Sequence, residues 1–306
     1  MTLPPFIREN VPLAGLTTFR IGGPARWLAE PANRSELGIA LALARDFGAE
    51  AKILGGGSNL LVADAGFAGM AIRPIRGDFG ILEPDADSPL IWRVGPGVRL
   101  ERLLAVLADH GVSGAEFLAG IPGLVGGAAA MNAGGAESGF GQFITQADFL
   151  PFDGDEQCLS GADLVFAYRS SPFLSGAAIG FRLEFRRRDE TEAIQARIRT
   201  FREQKRKAQP LDSPSAGCVF RNPPGKSAGV LLDAAGCKGW REGGAQVSGK
   251  HANFIVNLGG ATARDTALLA GRMRMAVRKA TGIRLEPEIT LLGDDPAFAA
   301  LGERPA

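Results

Sequence analysis

Three features of the sequence predict an α+β fold in two domains. Strands and helices alternate through the first half, the stretch from Ser138 to Phe185 is mostly β, and near residue 190 the composition shifts into a basic helix followed by a second α/β segment. At 306 residues the chain is long enough for two domains, or for one domain of two lobes, each with its own core.

The elements follow in order. Ala25 to Glu30 reads as a strand. Ser35 to Phe47 sets Leu37, Ala40, Leu41, Ala44 and Phe47 at helical spacing and stops at Gly48. Lys52 to Leu54 is a short strand that runs into a glycine loop. Ile91 to Val94 is another strand. Leu100, Leu103, Leu104 and Leu107 make one face of a helix that ends at Gly111. In the β-rich stretch, Asp153-Gly154-Asp155 and Ser175-Gly176 mark turns. Arg186-Arg187-Arg188 leads into a helix from Glu190 to Lys207, with Ile194, Ile198 and Phe201 as its buried stripe. Ala252 to Leu258 reads as a strand. Thr262 caps a helix that runs to Thr281 and stops at Gly282. Ile283 to Leu292 is the final strand. The domains are expected at 1–190, itself in two lobes divided near 60–70, and at 191–306.

Composition narrows the function. Hydrophobic residues make 45% of the chain, charged residues 22%, and net charge is +1. That balance gives no support for nucleic acid or a membrane surface as partner. The first ten residues hold two prolines and no apolar run, so no signal peptide is expected. Three widely spaced cysteines, Cys158, Cys218 and Cys237, suggest neither disulfide framework nor metal site, and a reducing cytosol follows as the expectation. His110 and His251 stand outside any cluster, and no metal is expected. The outlier is glycine, 42 residues, about twice average usage. Glycines in clusters bring backbone close to a ligand, or build tight turns.

Five segments carry candidate chemistry. After a strand, Leu54-Gly55-Gly56-Gly57-Ser58-Asn59-Leu60 offers successive unobstructed N–H groups, a nest for phosphate oxygens. It is neither a Walker loop nor a GxGxxG fingerprint; a plain tight turn is the alternative. Gly120-Ile121-Pro122-Gly123 through Gly126-Gly127-Ala128 to Gly134 has almost no bulk or charge. It could lie flat on a planar apolar ring such as an isoalloxazine, or pack a helix closely on a sheet. Tyr168-Arg169-Ser170-Ser171 contains the only tyrosine. In Gly217-Cys218-Val219-Phe220-Arg221-Asn222-Pro223 a strand would set Cys218, Phe220 and Asn222 on one face. In Ile283 to Leu291, Arg284, Glu286 and Glu288 would share one face and Ile283, Leu285, Ile289 and Leu291 the other; Pro287 favours an edge strand.

The ordered set of these segments resembles the UDP-N-acetylenolpyruvoylglucosamine reductase (MurB) family over nearly the whole chain. Further matching stretches are Thr18-Phe19-Arg20-Ile21-Gly22-Gly23-Pro24, Glu116-Phe117-Leu118-Ala119, Gly243-Gly244-Ala245-Gln246-Val247-Ser248, and His251-Ala252-Asn253-Phe254. The resemblance implies a two-lobed FAD-binding domain of the vanillyl-alcohol-oxidase (PCMH) type followed by an α/β substrate-binding domain. It implies non-covalent FAD held by residues 54–60 and by Gly120, Ile121, Pro122, Gly123, Gly126, Gly127 and Ala128. It implies reduction of FAD by NADPH, then hydride transfer to the enolpyruvyl group of a UDP-sugar in peptidoglycan precursor synthesis.

Carried over by motif position, Arg169 and Glu288 stabilise charge on the enolpyruvyl carboxylate. Asn222 and Tyr168 contact substrate, and a basic residue of 205–207, taken as Lys207, meets the diphosphate. Glu288 could help a carboxylate only by carrying or sharing a proton. The family usually has serine as proton donor where this chain has Cys218. A thiol, with a reference pKa near 8.5, is mostly protonated at neutral pH, so the role is expected to persist. The chain looks like the shorter class without a tyrosine lid loop, and a monomer is expected. Two competing readings are an FAD-linked oxidase or dehydrogenase of the same superfamily and a catalytically dead nucleotide- or sugar-binding module.

Overall fold

The computed structural model describes residues 2–135 and 138–301. The chain forms two compact units, neither continuous in sequence. The first comprises Met1–Arg8, Trp27–Gly56 and Gly69–Gln204; the second comprises Glu9–Arg26, Gly57–Ala68 and Lys205–Ala306. The expected boundary near 190 has Gln204/Lys205 as its nearest counterpart, with four further passages ahead of it.

In the first unit, helix α1 (Arg34–Asp46) begins at Asn33, whose Oδ1 accepts the Glu36 N–H at 2.9 Å. Its apolar face buries Leu37, Ala40, Leu41 and Ala44 against Trp27, Met70, Ile72 and Phe79. The strand Ala51–Ile53 runs parallel to Phe67–Ile72, with Ile53 opposite Ile72. A five-stranded antiparallel sheet runs in the order Gln157–Ser160, Ile144–Pro151, Gly176–Glu184, Ile91–Val94, Leu82–Pro84. Helix α2 (Leu100–Asp109) buries Leu100, Leu103, Leu104 and Leu107. With the short helix α3 (Val125–Ala130) and with Ile194 and Ile198 of α4 (Thr191–Ala208), it encloses a second core around Trp92, Phe140 and Phe185. Each such side chain, fully buried, stabilises by about 1.5–3 kcal/mol before entropy is charged.

The second unit holds α5 (Ala228–Ala234) and α6 (Ala263–Thr281) around Phe19, Phe220, Leu232 and Met273. The start of α6 is held twice. Thr262 Oγ1 accepts the Asp265 N–H at 2.9 Å while Asp265 Oδ2 accepts the Thr262 N–H at 3.1 Å. Asp64 accepts the N–H groups of Ala263 and Arg264 at 2.7 and 3.1 Å, placing a carboxylate at the positive end of the helix. Gly282, at φ 74, ends it. Leu60–Val62 pairs in parallel with Thr290–Leu292. Arg241–Glu242, Ala245–Val247 and Ile255–Asn257 form a three-stranded sheet.

Two expected strands are shorter than read. Ala252–Leu258 is regular only at Ile255–Asn257, and Ile283–Leu292 only at Thr290–Leu292. Over the irregular stretch the burial alternation persists: Leu285 and Ile289 are buried, Arg284 and Glu286 exposed. In the β-rich stretch, Gly161 to Ser175 consists of turns and short 3-10 helices. Among the described residues, no helix is long and apolar enough to cross a membrane.

Candidate active site

In the first unit the two glycine segments meet. A Cβ added to Gly56 would lie 3.0 Å from Gly123 Cα, and one on Gly55 would lie 3.9 Å from the Gly127 backbone. A side chain at Gly56 would press on the Gly123 backbone, whereas a Cβ at Gly55 would sit in ordinary van der Waals contact. Leu54 and Leu60, 5% and 7% exposed, anchor the two ends of the 55–59 loop, whose own residues are half-buried. Gly57 has φ +64, and a Cβ there would overlap the Leu16 carbonyl oxygen. Among the described residues, no protein acceptor takes the backbone N–H of Gly55, Gly56, Gly57, Ser58 or Asn59. A half-buried run of unsatisfied donors without side-chain charge fits a pyrophosphate. The bare second segment fits the flat face of a flavin. With Gly120 and Gly123 bare, its bulk ahead of α3 is Ile121, Pro122 and Leu124; within α3, Gly126 N–H donates to Pro96 O at 2.9 Å and Ala128 is buried.

The Arg169 turn is built on the same segment. Ala167 and Ser170 exchange backbone hydrogen bonds of 3.1 Å, putting Tyr168 and Arg169 at a two-residue tip, with Arg169 at φ 56. Asn132 Nδ2 donates to Ala167 O at 3.1 Å, and Ser171 Oγ donates to Ala130 O at 2.8 Å. The end of α3 thereby fixes the turn. The Arg169 guanidinium lies 4.7 Å from the centre of the Tyr168 ring, a cation–π contact that orients it.

In the second unit, Cys218 and Glu288 are brought together. Cys218 bridges to Phe254 and Phe220 bridges to Pro287, both antiparallel. Glu288 N–H donates to Val219 O and Arg221 N–H to Glu286 O, at 2.8 and 2.9 Å. The Phe220–Pro287 pair falls between these two bonds, where a strand residue needs no N–H toward its partner, so proline fits there. The glycine loop reaches the same place. Asn59 Nδ2 donates to Glu288 O at 3.1 Å, Thr290 N–H donates to Asn59 O at 2.9 Å, and a Cβ on Gly217 would lie 3.8 Å from Ser58 O.

The expected common face of Cys218, Phe220 and Asn222 is not kept. Phe220 is 0% exposed, Cys218 half-buried and Asn222 exposed. The reason is a bend at Val219, whose N–H points to Asn253 O and whose carbonyl accepts from Glu288. In a flat strand both would address one neighbour. Asn222 Oδ1 accepts the Ala228 N–H at 2.9 Å and so starts α5. Arg206 and Lys207 are exposed at the end of α4, whereas Lys205 is half-buried and burial pulls its ammonium down to about 8. Cys237 lies in the core, where burial pushes the thiol up to about 11. Cys158 is exposed.

Sequence reasoning named Glu116 in a matching stretch but gave it no role. This 6%-exposed carboxylate precedes the second glycine segment and accepts from Gly114 N–H at 2.7 Å, Ser113 Oγ at 3.0 Å and Arg197 Nε at 3.0 Å. The same holds for Asn253, described below. Among the described residues no group of three or more His, Cys, Asp or Glu is placed to hold a metal.

A family model for an FAD-binding domain matches residues 25–158, and one for the C-terminal domain of UDP-N-acetylenolpyruvoylglucosamine reductase matches residues 209–292. The UDP-N-acetylenolpyruvoylglucosamine reductase of Moorella thermoacetica is 43% identical over 289 residues, covering 94% of this chain and 94% of the relative. That of Anaeromyxobacter dehalogenans strain 2CP-C is also 43% identical over 289 residues, covering 94% and 86%. The crystal structure of the Thermus caldophilus reductase (MurB) is 37% identical and covers 94% of this chain and 100% of its own, with TM-score 0.76. The fold is therefore α+β, a PCMH-type FAD-binding domain with a MurB-type C-terminal domain. The chain belongs to the UDP-N-acetylenolpyruvoylglucosamine reductase family.

Proposed function

We infer that this protein reduces UDP-N-acetylglucosamine enolpyruvate to UDP-N-acetylmuramate with NADPH and FAD, a step of peptidoglycan precursor synthesis. One observation within the second unit carries the reading: the Ser58–Asn59 end of the glycine loop, the Cys218 segment and the Glu288 segment are joined by direct backbone and side-chain contacts. An unrelated oxidase would need the loop but not a thiol and a carboxyl on paired backbones beside it.

The N–H groups of residues 55–59 would hold the FAD pyrophosphate, with Gly120, Ile121, Pro122, Gly123, Gly126, Gly127 and Ala128 against the ring. FAD held there and reduced by NADPH would supply the hydride. Arg169 offers a fork of donors to the enolpyruvyl carboxylate, and its stack on Tyr168 holds the fork in place. Donors fixed beforehand where charge develops supply much of the rate. Cys218 Sγ gives its proton to the carbon next to the carboxylate, and Glu288 shares a proton with the carboxylate itself. Asn222 and Lys207 bind the UDP-sugar. Flavin binding is assigned to residues 1–190 and substrate binding to 191–306. The enzyme works as a cytoplasmic monomer without a tyrosine lid.

The test is anaerobic stopped-flow at flavin wavelengths. NADPH should bleach the bound flavin, and the enolpyruvate should restore its colour. Restoration only by oxygen or another acceptor would overturn the substrate reading.

A further inference from the structure

Asn253 is 1% exposed, and every polar group it carries on the side of Cys218 is used. Its Oδ1 accepts the Phe220 N–H at 3.0 Å, and its Nδ2 donates to the Phe220 carbonyl at 2.8 Å. Its backbone carbonyl accepts the Val219 N–H at 2.8 Å. The side-chain amide thus does for Phe220 what a peptide group of a neighbouring strand would do. It satisfies both polar groups of a residue buried in the core, where unmet donors and acceptors are costly.

We propose that Asn253 is a positioning residue for the reaction, setting the Cys218 thiol by clamping the two residues that follow it. The inference rests on the reading of Cys218 as proton donor. The geometry supports it from both sides. Cys218 is half-buried and immediately precedes the bend at Val219, so its direction depends on what fixes Val219 and Phe220. Glu286 and Glu288 hold the far edge through the backbone bonds to Arg221 and Val219. The near edge has no regular strand, since Cys218–Phe254 is an isolated bridge, and Asn253 supplies its bonds.

Asn253 is itself held. Its N–H donates to His251 Nδ1 at 3.2 Å, and Phe254 N–H donates to His251 O at 3.0 Å. The imidazole packs on Gly229 of α5, where a Cβ would come within 2.9 Å of Cε1. Burial, then the charge of Lys238, holds His251 below its usual range, and Nδ1 accepts the Asn253 N–H. The motif His251-Ala252-Asn253-Phe254 therefore acts as one clamp whose business end is the amide.

The experiment uses FAD-loaded enzyme and measures the two half-reactions separately under anaerobic conditions. Asn253→Ala and Asn253→Asp are compared with Cys218→Ala. Asn253→Asp keeps the volume and one acceptor and loses the donor to Phe220, so it reports even where the alanine variant does not fold. Flavin reduction by NADPH should stay within about twofold. Reoxidation by the UDP-sugar enolpyruvate should slow about tenfold or more, ~1.4 kcal/mol in the barrier, with an increased solvent isotope effect. In a Cys218→Ala background the Asn253 change should add nothing further. Equal slowing of both half-reactions, with loss of bound FAD, would make Asn253 merely structural and overturn the inference. Unslowed reoxidation in Asn253→Asp, with slow reoxidation in Cys218→Ala, would overturn it and leave the donor standing. Wild-type reoxidation in Cys218→Ala would instead remove the donor reading itself.

Discussion

The backbone N–H of Glu288 donates to the carbonyl of Val219 at 2.8 Å. Glu288 therefore bonds to the residue that follows Cys218, although the two are 70 positions apart in the chain. A bond of this kind fixes backbones far more tightly than a side-chain contact would. It means that a change in either segment is felt by the other.

The first prediction concerns the thiol. Cys218→Ala removes the proton donor, and a positioned acid contributes typically about 10²–10⁴-fold. Reoxidation of reduced flavin by the enolpyruvate should fall by that order, while reduction by NADPH is unaffected. Cys218→Ser should keep turnover and move the alkaline limb of the pH profile upward, because a hydroxyl does not ionise near a thiol's reference value of about 8.5. Stopped-flow across pH checks both; equal rates for all three proteins would count against the role.

Arg169 should tolerate no exchange for lysine. Its side chain is stacked on Tyr168 at the tip of a turn that Asn132 and Ser171 tie to α3. A lysine keeps the charge and loses the planar fork. Loss of one preorganised donor typically costs about 10²–10³ in kcat. Arg169→Lys should show a loss of that order with little change in thermal midpoint. Steady-state kinetics with bound FAD quantified beforehand is the measurement.

How much of this was legible in the sequence follows from the range of the interactions. Thr262 and Gly282 cap α6 through partners within four residues, so the helix could be placed from local pattern. The Asn33 cap of α1 is equally local but was not read, and the helix was expected from Ser35. Cys218 and Glu288 were found only because their motifs resemble a known family; no spacing rule joins positions that far apart. Asn253 stayed hidden because its partner Phe220 is 33 positions away and its amide substitutes for a strand that is not there. Asp64 was hidden for the same reason, reaching Ala263 across 199 positions. The common face expected for Cys218, Phe220 and Asn222 failed on a backbone bend that period-2 reasoning cannot see. The strand from Ile283 was overread because burial alternates there while the backbone pairing before Thr290 is a single isolated bridge, Phe220–Pro287.

A third prediction tests the glycine loop. Gly57 sits at φ +64, and a Cβ would overlap the Leu16 carbonyl oxygen. A non-glycine residue in that region costs about 1–3 kcal/mol even without a clash. Gly57→Ala should lower the thermal midpoint and release FAD, read as flavin retained per chain after gel filtration. Gly48→Ala makes the comparison: it also has positive φ, at +60, but a Cβ there meets nothing within 4 Å. It should lose stability and keep its flavin. Equal flavin loss in both would reduce the loop to a matter of stability.

The last prediction concerns Glu116 and acid. Burial alone would raise its pKa, but hydrogen bonds from the backbone around Glu116 and Gly114, from Ser113 and from Arg197 together bring it below the usual carboxylate value. A depressed folded value means that the stability it contributes is fully present above the unfolded carboxyl value of about 4.3. That stability is lost as pH falls through the lower folded value. Glu116→Gln should therefore cost about 1–3 kcal/mol at pH 7. The gap between variant and parent should shrink steadily below about pH 4.3. Because Glu116 stands four residues ahead of Gly120, the same variant should bind FAD more weakly at pH 7. Chemical denaturation at pH 7 and pH 3.5, with FAD titration at pH 7, decides it. A gap that does not change between the two pH values would show that the charge is not what Glu116 contributes.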